Sequence, residues 1–451
     1  MRGWIKRKAT FERFNKLGKL FLFLALFSFL TFHYFENLKG QWFHVDEYHF
    51  MRKSYYFDLF FIKRDFLDPR WYVLDEPAQP KLGPYFYGLT LHLAGVHDIE
   101  ERLDEVGFNT YLFEGAVWWM KLWKGVFTYE KVPEELNGVM SLVWLGRKTS
   151  VFFTLGALGL VFILGTKMKS ILFGATAALL LGLNNLMFSY GRLAMTDSML
   201  LFFFLANILL VFYFLDALKN GRGRKVVFFS FLLGMNAAFA LGVKVVGIFV
   251  LIFLIILFLI LFILKPIPKS VSAVFHGFFI VILSFWVVFV FFHPYVRENT
   301  PERFFYMFSG RLEVAKRDQL IYTRSAVNSR LQAADVIVQR TLLPRGSYIN
   351  FKINTLPVDL AFFFAGLIML IKRIVNKAQK DEVVSFETVF LLFSYVVIVG
   401  LVFYLQTSWP RYFLPTVSVV AITQSYAIAT IFEFLLVRGG KVLFKRSKDQ
   451  R

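Results

Sequence analysis

Residues 43–50 read FHVDEYHF and place two adjacent carboxylates, Asp46 and Glu47, between two histidines and among aromatic side chains. A carboxylate held beside a hydroxyl can orient it and take its proton as it attacks an electrophile. Such a reaction also needs cations where a leaving group gathers negative charge. The sequence offers them at Lys81 in AQPKLGPYFYGL, Arg192 in YGRLAMTDSML, Lys244 in LGVKVVG and Arg411 in WPRYFLP. A third acid, Asp197, follows Arg192 closely.

Each of these residues has a plain structural reading as well. Asp197 comes after Thr196 at a helix start, where the helix dipole favours an acid. Arg192 fits an interfacial side chain reaching toward water. Asp46 and Glu47 also fit a helix N-terminus, and Asp75 and Glu76 fit solvated loop charges. His44, Asp46, Glu47 and His49 do not follow the H-E-x-x-H spacing of a zinc site, so no metal is expected. The chain has no cysteine, which excludes thiol nucleophiles and thiolate-bound metals.

The elements that must hold these groups are apolar. Of 451 residues, 57% are hydrophobic and 18% charged, against about 25% charged in a soluble domain. Long apolar runs recur, and backbone in hydrocarbon must be satisfied within helices. The expected fold class is an all-α polytopic membrane protein. Ten spans are predicted: 20–36, 150–166, 171–188, 196–216, 226–242, 245–264, 271–292, 357–371, 384–405 and 412–436. The apolar run 226–264 as one helix would be about 58 Å long, nearly twice the hydrocarbon core. It must fold back, and LGVKVVG is the expected tip, with Lys244 at a membrane surface.

Lys and Arg in the short connections number 25 on one side, against only Arg192, Lys244 and Arg411 on the other. This asymmetry predicts that both termini are cytoplasmic. The basic N-terminus followed by an apolar run is like a signal peptide, but no small-residue cleavage site follows, so an uncleaved anchor is expected. Residues 37–149 and 293–356 then form two outer loops, and the chemistry-bearing residues all fall on the outer face near span ends. The net charge of +20 mainly reflects this topology: the first outer loop carries 13 Lys and Arg against 16 Asp and Glu. Nucleic-acid binding is therefore not expected. GPYFYGLTLHLAG and LFEGAVWWMKLWKGVF are too polar to span and predict amphipathic interfacial helices in the first outer loop. The organisation expected is one transmembrane catalytic domain over 1–436 and a basic cytoplasmic tail over 437–451.

These motifs resemble those of membrane glycosyltransferases of the GT-C fold that use a polyprenyl-phosphate sugar. The closest resemblance is to protein O-mannosyltransferases and lipid A aminoarabinose transferases. FHVDEYHF is similar to the F-D-E-x-H-F pattern of the mannosyltransferases, with Val45 in place of an aromatic residue. AQPKLGPYFYGL resembles their H-P-P-L-G-K segment, with Gln79 where the His stands and Lys81 replacing a Pro. YGRLAMTDSMLLFFFLA, LGVKVVGIFVL and WPRYFLP resemble three further family segments in the same order. The resemblance spans residues 43–415 and implies a GT-C-like fold.

It also implies an inverting transfer of a sugar from a polyprenyl-phosphate donor to a hydroxyl of a protein, glycan or lipid at the outer face of the plasma membrane. The acids would be Asp46, Glu47 and Asp197, with either Asp46 or Glu47 as the base. The first acid of the family's pair is the one implicated there. Lys81, Arg192, Lys244 and Arg411 would face the donor phosphate. The partners expected are the bilayer, the lipid-linked sugar and the acceptor, with no cofactor required. The competing reading is a transporter or flippase of a lipid-linked sugar, which would favour midplane polar groups and inverted repeats.

Overall fold

The computed structural model describes residues 2–41, 44–72, 79–105, 137–264, 271–342, 352–353, 356–379 and 384–449. Among them the regular structure is helical apart from a two-residue antiparallel pairing of Lys352–Ile353 with Leu356–Pro357 and an isolated bridge between Ala326 and Thr407. Nine of the ten predicted spans overlap one α-helix each, and 171–188 is the exception. The first lies within α1 (Arg2–Phe35). After the short helices α2 (Val45–Arg52) and α3 (Leu82–Leu93) come α4 (Asn137–Met168), α5 (Ile171–Gly182) and α6 (Asn185–Tyr190). Then follow α7 (Asp197–Lys219), α8 (Gly223–Val243), α9 (Ile248–Leu264) and α10 (Val271–Phe292). The segment 293–356, expected as the second outer loop, contains α11 (Thr300–Ile321) and α12 (Arg330–Thr341). The chain closes with α13 (Val358–Ala378), α14 (Phe386–Tyr404) and α15 (Leu414–Asp449).

Among the described residues seven helical segments, fewer than the ten spans expected, are long and apolar enough to cross a membrane: α4, α7, α8, Val245–Leu264, α10, α14 and Pro410–Leu435. The expected span 171–188 is instead two helices. Leu183 ends α5, and the Asn184 side chain accepts the N–H groups of Leu186 and Met187 at 3.0 and 3.2 Å. Those bonds make Asn184 an N-cap that starts α6 afresh. α5, at twelve residues, spans about 18 Å.

The fold-back at Lys244 is present. Lys244 is extended (φ −159°, ψ 140°), and a short 3₁₀ turn, Val245–Gly247, leads into α9. Gly247 permits this turn, because a Cβ there would lie 2.1 Å from the Ala240 carbonyl oxygen. The two arms do not pack chiefly on each other. α8 lies mainly along α10 and α7, whereas α9 packs on α14 and on α8 alike. The α8–α10 contact is close because Gly234 carries no side chain; a Cβ there would be 2.0 Å from Ser284 Oγ and 2.3 Å from the Val281 oxygen. Such small-residue contacts are how apolar helices gain packing where lipid supplies no hydrophobic drive.

Of the two predicted interfacial segments, GPYFYGLTLHLAG forms α3. It buries Tyr85, Tyr87 and Leu91 in the core and exposes Leu89 and Leu93. LFEGAVWWMKLWKGVF lies outside the described residues.

Candidate active site

The adjacent acids of FHVDEYHF part company at the start of α2. His44 is the N-cap: its Nδ1 accepts the Asp46 N–H at 3.1 Å, while its own N–H donates to Glu47 Oε2 at 3.0 Å. Neighbouring residues on a helix point about 100° apart, so fixing Glu47 inward turns Asp46 outward. Glu47 is wholly buried and receives Arg147 Nε and Nη2 at 2.8 Å each, as well as the Ala194 N–H at 2.8 Å. Arg147, itself 1% exposed, also donates to the Leu38 and Gln41 carbonyls at 3.0 Å. This ion pair ties the segment after α1, the start of α2, the middle of α4 and the approach to α7 at one point.

Asp46 faces a cavity of about 390 Å³, within the range of small-molecule sites. Its walls come from α2, the start of α7, the Lys244 turn, α11, the end of α14 and the 3₁₀ turn Pro410–Phe413. The cavity therefore sits where span ends converge. Asp46, Asp197, Lys244 and Arg411 all line it, so four of the seven site residues expected from sequence meet there. Asp197 is buried in the first turn of α7 and accepts Lys244 Nζ at 2.5 Å. Arg411 is ion-paired with Asp46.

Three cations gather around one phenol. Lys244 Nζ stands 4.7 Å from the Tyr412 ring centre, Arg411 lies 5.4 Å from it, and Arg311 Nη2 donates to the Tyr412 hydroxyl at 3.3 Å. Asp318, one helical face along from Arg311 on α11, also lines the cavity, and burial raises its pKa. His49 and Lys53 both reach Gln79 Oε1, at 3.0 and 2.7 Å. Gln79 thus organises the rim at the position where the resembling family has His. Among the described residues no three His, Asp or Glu side chains group as a metal site.

The other expected residues are placed elsewhere. Glu47 does not line the cavity. Arg192 is buried, donates to the Glu36 carbonyl and stacks 4.4 Å from the Phe188 ring centre. Lys81 is buried with its Nζ 4.6 Å from the Tyr56 ring centre, beside His293 in a separate small pocket. Asp75 and Glu76 lie outside the described residues. Sequence reasoning missed Arg311 and Asp318. Their signal was their spacing, seven residues apart on one face of an amphipathic helix. It also missed Arg147, whose signal was an arginine inside a helix otherwise reading as a span.

A second cavity of about 290 Å³ adjoins the first and shares Asp46, Tyr322, Trp409 and Arg411 with it. Its remaining lining is His44, Tyr190, Ser325 and Pro410. Burial, and then the Arg411 charge, lower the His44 pKa to about 3. The imidazole is therefore neutral, as its acceptor role at the cap requires. The wall near Ser325 is pinned by backbone bonds from Ser408 N to the Ser325 oxygen (2.7 Å) and from Val327 N to the Gln406 oxygen (2.9 Å).

A family model described as dolichyl-phosphate-mannose-protein mannosyltransferase matches residues 104–298. That stretch contains Arg192, Asp197 and Lys244 but not Asp46 or Arg411. No curated protein matches the chain in sequence. Among solved structures, the archaeal oligosaccharyltransferase AglB from Archaeoglobus fulgidus, in complex with an inhibitory peptide and a dolichol-phosphate, superposes with a TM-score of 0.53 at 12% identity. It covers 95% of this chain and 52% of that one. ArnT from Cupriavidus metallidurans, bound to undecaprenyl phosphate, gives a TM-score of 0.51 at 15% identity over 91% of this chain and 60% of that one. The Archaeoglobus fulgidus oligosaccharyltransferase complexed with Zn and sulfate gives 0.52 at 11% identity over 93% and 51%. The chain spans half to three-fifths of the length of these proteins. It has the GT-C fold, and it resembles polyprenyl-phosphate-dependent glycosyltransferases in sequence model and architecture alike.

Proposed function

We propose that this protein is an inverting membrane glycosyltransferase that moves a sugar from a polyprenyl-phosphate donor to a hydroxyl acceptor at the outer face. The observation that carries the reading is the larger cavity, where Asp46, alongside Asp197 and Asp318, faces three cations gathered on Tyr412 at the meeting of span ends. The donor phosphate sits among Lys244, Arg311 and Arg411, its lipid tail in the membrane. The acceptor hydroxyl approaches from the second cavity. Its oxygen attacks the anomeric carbon, the bond from that carbon to the phosphate oxygen breaks, and the hydroxyl proton passes to Asp46. The lipid monophosphate leaves with the bonding electron pair, and the cations stabilise its growing charge. A single displacement inverts the anomeric centre. The scheme draws on no resident cofactor. Asp197 acts by holding Lys244, and Glu47 acts by holding α2.

The proposed setting is a multi-pass protein of the plasma membrane with residues 1–436 as one catalytic unit and both termini cytoplasmic, as the charge asymmetry supports. Protease added outside intact cells should then leave both termini whole. The test of activity uses purified protein in nanodiscs, a polyprenyl-phosphate sugar, and surface glycans of the source cell as acceptors. Release of polyprenyl phosphate that falls about 10²–10⁴-fold in Asp46→Asn supports the reading. Undiminished release in Asp46→Asn, or movement of intact donor across sealed vesicles with no sugar transferred, overturns it.

A further inference from the structure

The base and the phosphate cation of this site occupy each other. Asp46 is ion-paired with Arg411, and the pair stands in the partition between the two cavities. Among the described residues no other Lys or Arg is ion-paired with the carboxylate. His44 Nδ1, 3.8 Å from it, is an unprotonated acceptor and brings no charge. Arg411 does not depend on Asp46 for its place. Its guanidinium lies 4.8 Å from the Trp409 ring centre and 5.4 Å from that of Tyr412, aromatic faces that suit a cation. It is 8% exposed, and its Nε is buried without a hydrogen-bond partner. Arg411 therefore has a donor unspent and a cradle that persists when the carboxylate lets go.

From this geometry we infer that the Asp46–Arg411 pair is a latch that the donor phosphate opens, so that donor must bind before the acceptor can be deprotonated. The inference rests on the proposed glycosyl transfer and adds an order to it. Arg411 holds one Asp46 oxygen, Oδ2, and a cation at that position favours the ionised form and weakens the carboxylate as a proton acceptor. An incoming phosphate carries more charge than the carboxylate and competes for the same guanidinium, aided by Lys244 and Arg311 on its other side. Only the larger cavity offers those extra cations; among the described residues the smaller one holds no ionised group beyond the pair itself. Phosphate thus settles in the larger space, and Asp46 is left facing the smaller one with its Oδ2 free for a hydroxyl. An acceptor that arrives first meets an engaged base.

Binding of a polyprenyl monophosphate to the protein in nanodiscs, followed by tryptophan fluorescence, tests the latch. Asp46→Asn removes the competitor and should tighten binding roughly fivefold, the upper end for a partly exposed pair. The gain must depend on Arg411, so in an Arg411→Gln background Asp46→Asn should change nothing. Arg411→Met serves as the background if Arg411→Gln does not fold. Asp318→Asn makes the same change of charge on another wall of the cavity and should give a smaller gain that survives in the Arg411 background. Unchanged or weaker binding in Asp46→Asn overturns the latch, as does an equal gain with and without Arg411. In both cases loss of binding in Lys244→Ala leaves the phosphate site standing. If Lys244→Ala and Arg311→Ala also bind normally, the proposed function itself fails.

Discussion

Replacing Glu47 by Gln separates structure from chemistry at this site. The carboxylate accepts four hydrogen bonds, two from Arg147 and one each from the Ala194 and His44 N–H groups. Every donor points at it. Gln keeps the shape but replaces one acceptor oxygen by an NH₂ group that must face either the guanidinium or a backbone N–H. Arg147, 1% exposed, keeps the Leu38 and Gln41 carbonyls but loses the carboxylate charge that balances its own. Removing one partner of a buried pair costs about 3–5 kcal/mol. In a chain of this size that is a fall of about 5 °C in melting temperature. Melting of detergent-solubilised protein, followed by size exclusion, measures it, with turnover read on the folded fraction well below the transition. Turnover of folded Glu47→Gln should stay within tenfold of the parent. A second substitution, Arg147→Met, should recover much of the lost stability, because no charge then remains buried alone. Unaltered melting with turnover down 10²–10⁴-fold would refute this reasoning and make Glu47 the proton acceptor.

Further outcomes follow from the same contacts. Lys244→Ala should weaken donor binding and also lower the melting temperature, because Asp197 is left buried and unpaired; adding Asp197→Asn should restore stability but not donor affinity, with melting and binding read on the same preparations. His44 has a folded pKa lowered to about 3, while the unfolded side chain titrates near 6.5. The unfolded chain therefore binds the proton first as pH falls, and stability declines from about pH 6.5 toward 3 by up to about 1.4 kcal/mol per unit. In His44→Asn, which keeps an N-cap acceptor, the melting profile over that range should be flatter. Gly234→Ala forces a Cβ into the space of Ser284 and Val281 and should cost about 1–3 kcal/mol in a melting assay.

Much of the site was legible because span ends are legible. Long apolar runs, one forced fold-back and an uneven distribution of Lys and Arg were enough to put Asp46, Asp197, Lys244 and Arg411 at one end of the bundle, and the structure brings those four to one cavity. Depth along the membrane is written in the one-dimensional pattern. Direction around a helix axis is not, when a helix is apolar on all sides. Lys81 and Arg192 are expected at the same depth, yet they point to Tyr56 and to the Glu36 carbonyl. Glu47 differs from Asp46 by a single position and a turn of about 100°, and its partner Arg147 is a hundred residues away, a pairing no local pattern reports. Arg311 reads in sequence as one charge among several on a solvated helix; only the packing of α11 over the cavity makes it a wall. The break at Asn184 was overlooked because apolar residues flank it on both sides, and a side-chain cap leaves little trace in hydropathy.

The choice of neighbours made by α8 has a consequence for how the protein is built. Its main downstream partner is α10, and the contact closes where Gly234 meets Ser284 and Val281. During synthesis that partner is completed only with Phe292, roughly fifty residues after α8 ends. At about 5–20 residues per second, α8 must wait for seconds in or beside the insertion machinery with its glycine-bearing face uncovered. In that interval α9, which is strongly apolar, is already available but is the wrong partner for that face. Assembly of the site is therefore a late event: Lys244, at the joint between α8 and α9, is not fixed until α10 and α14 are in place. Cells should find nascent chains stopped before residue 292 especially prone to membrane-protein degradation, more than chains stopped after it.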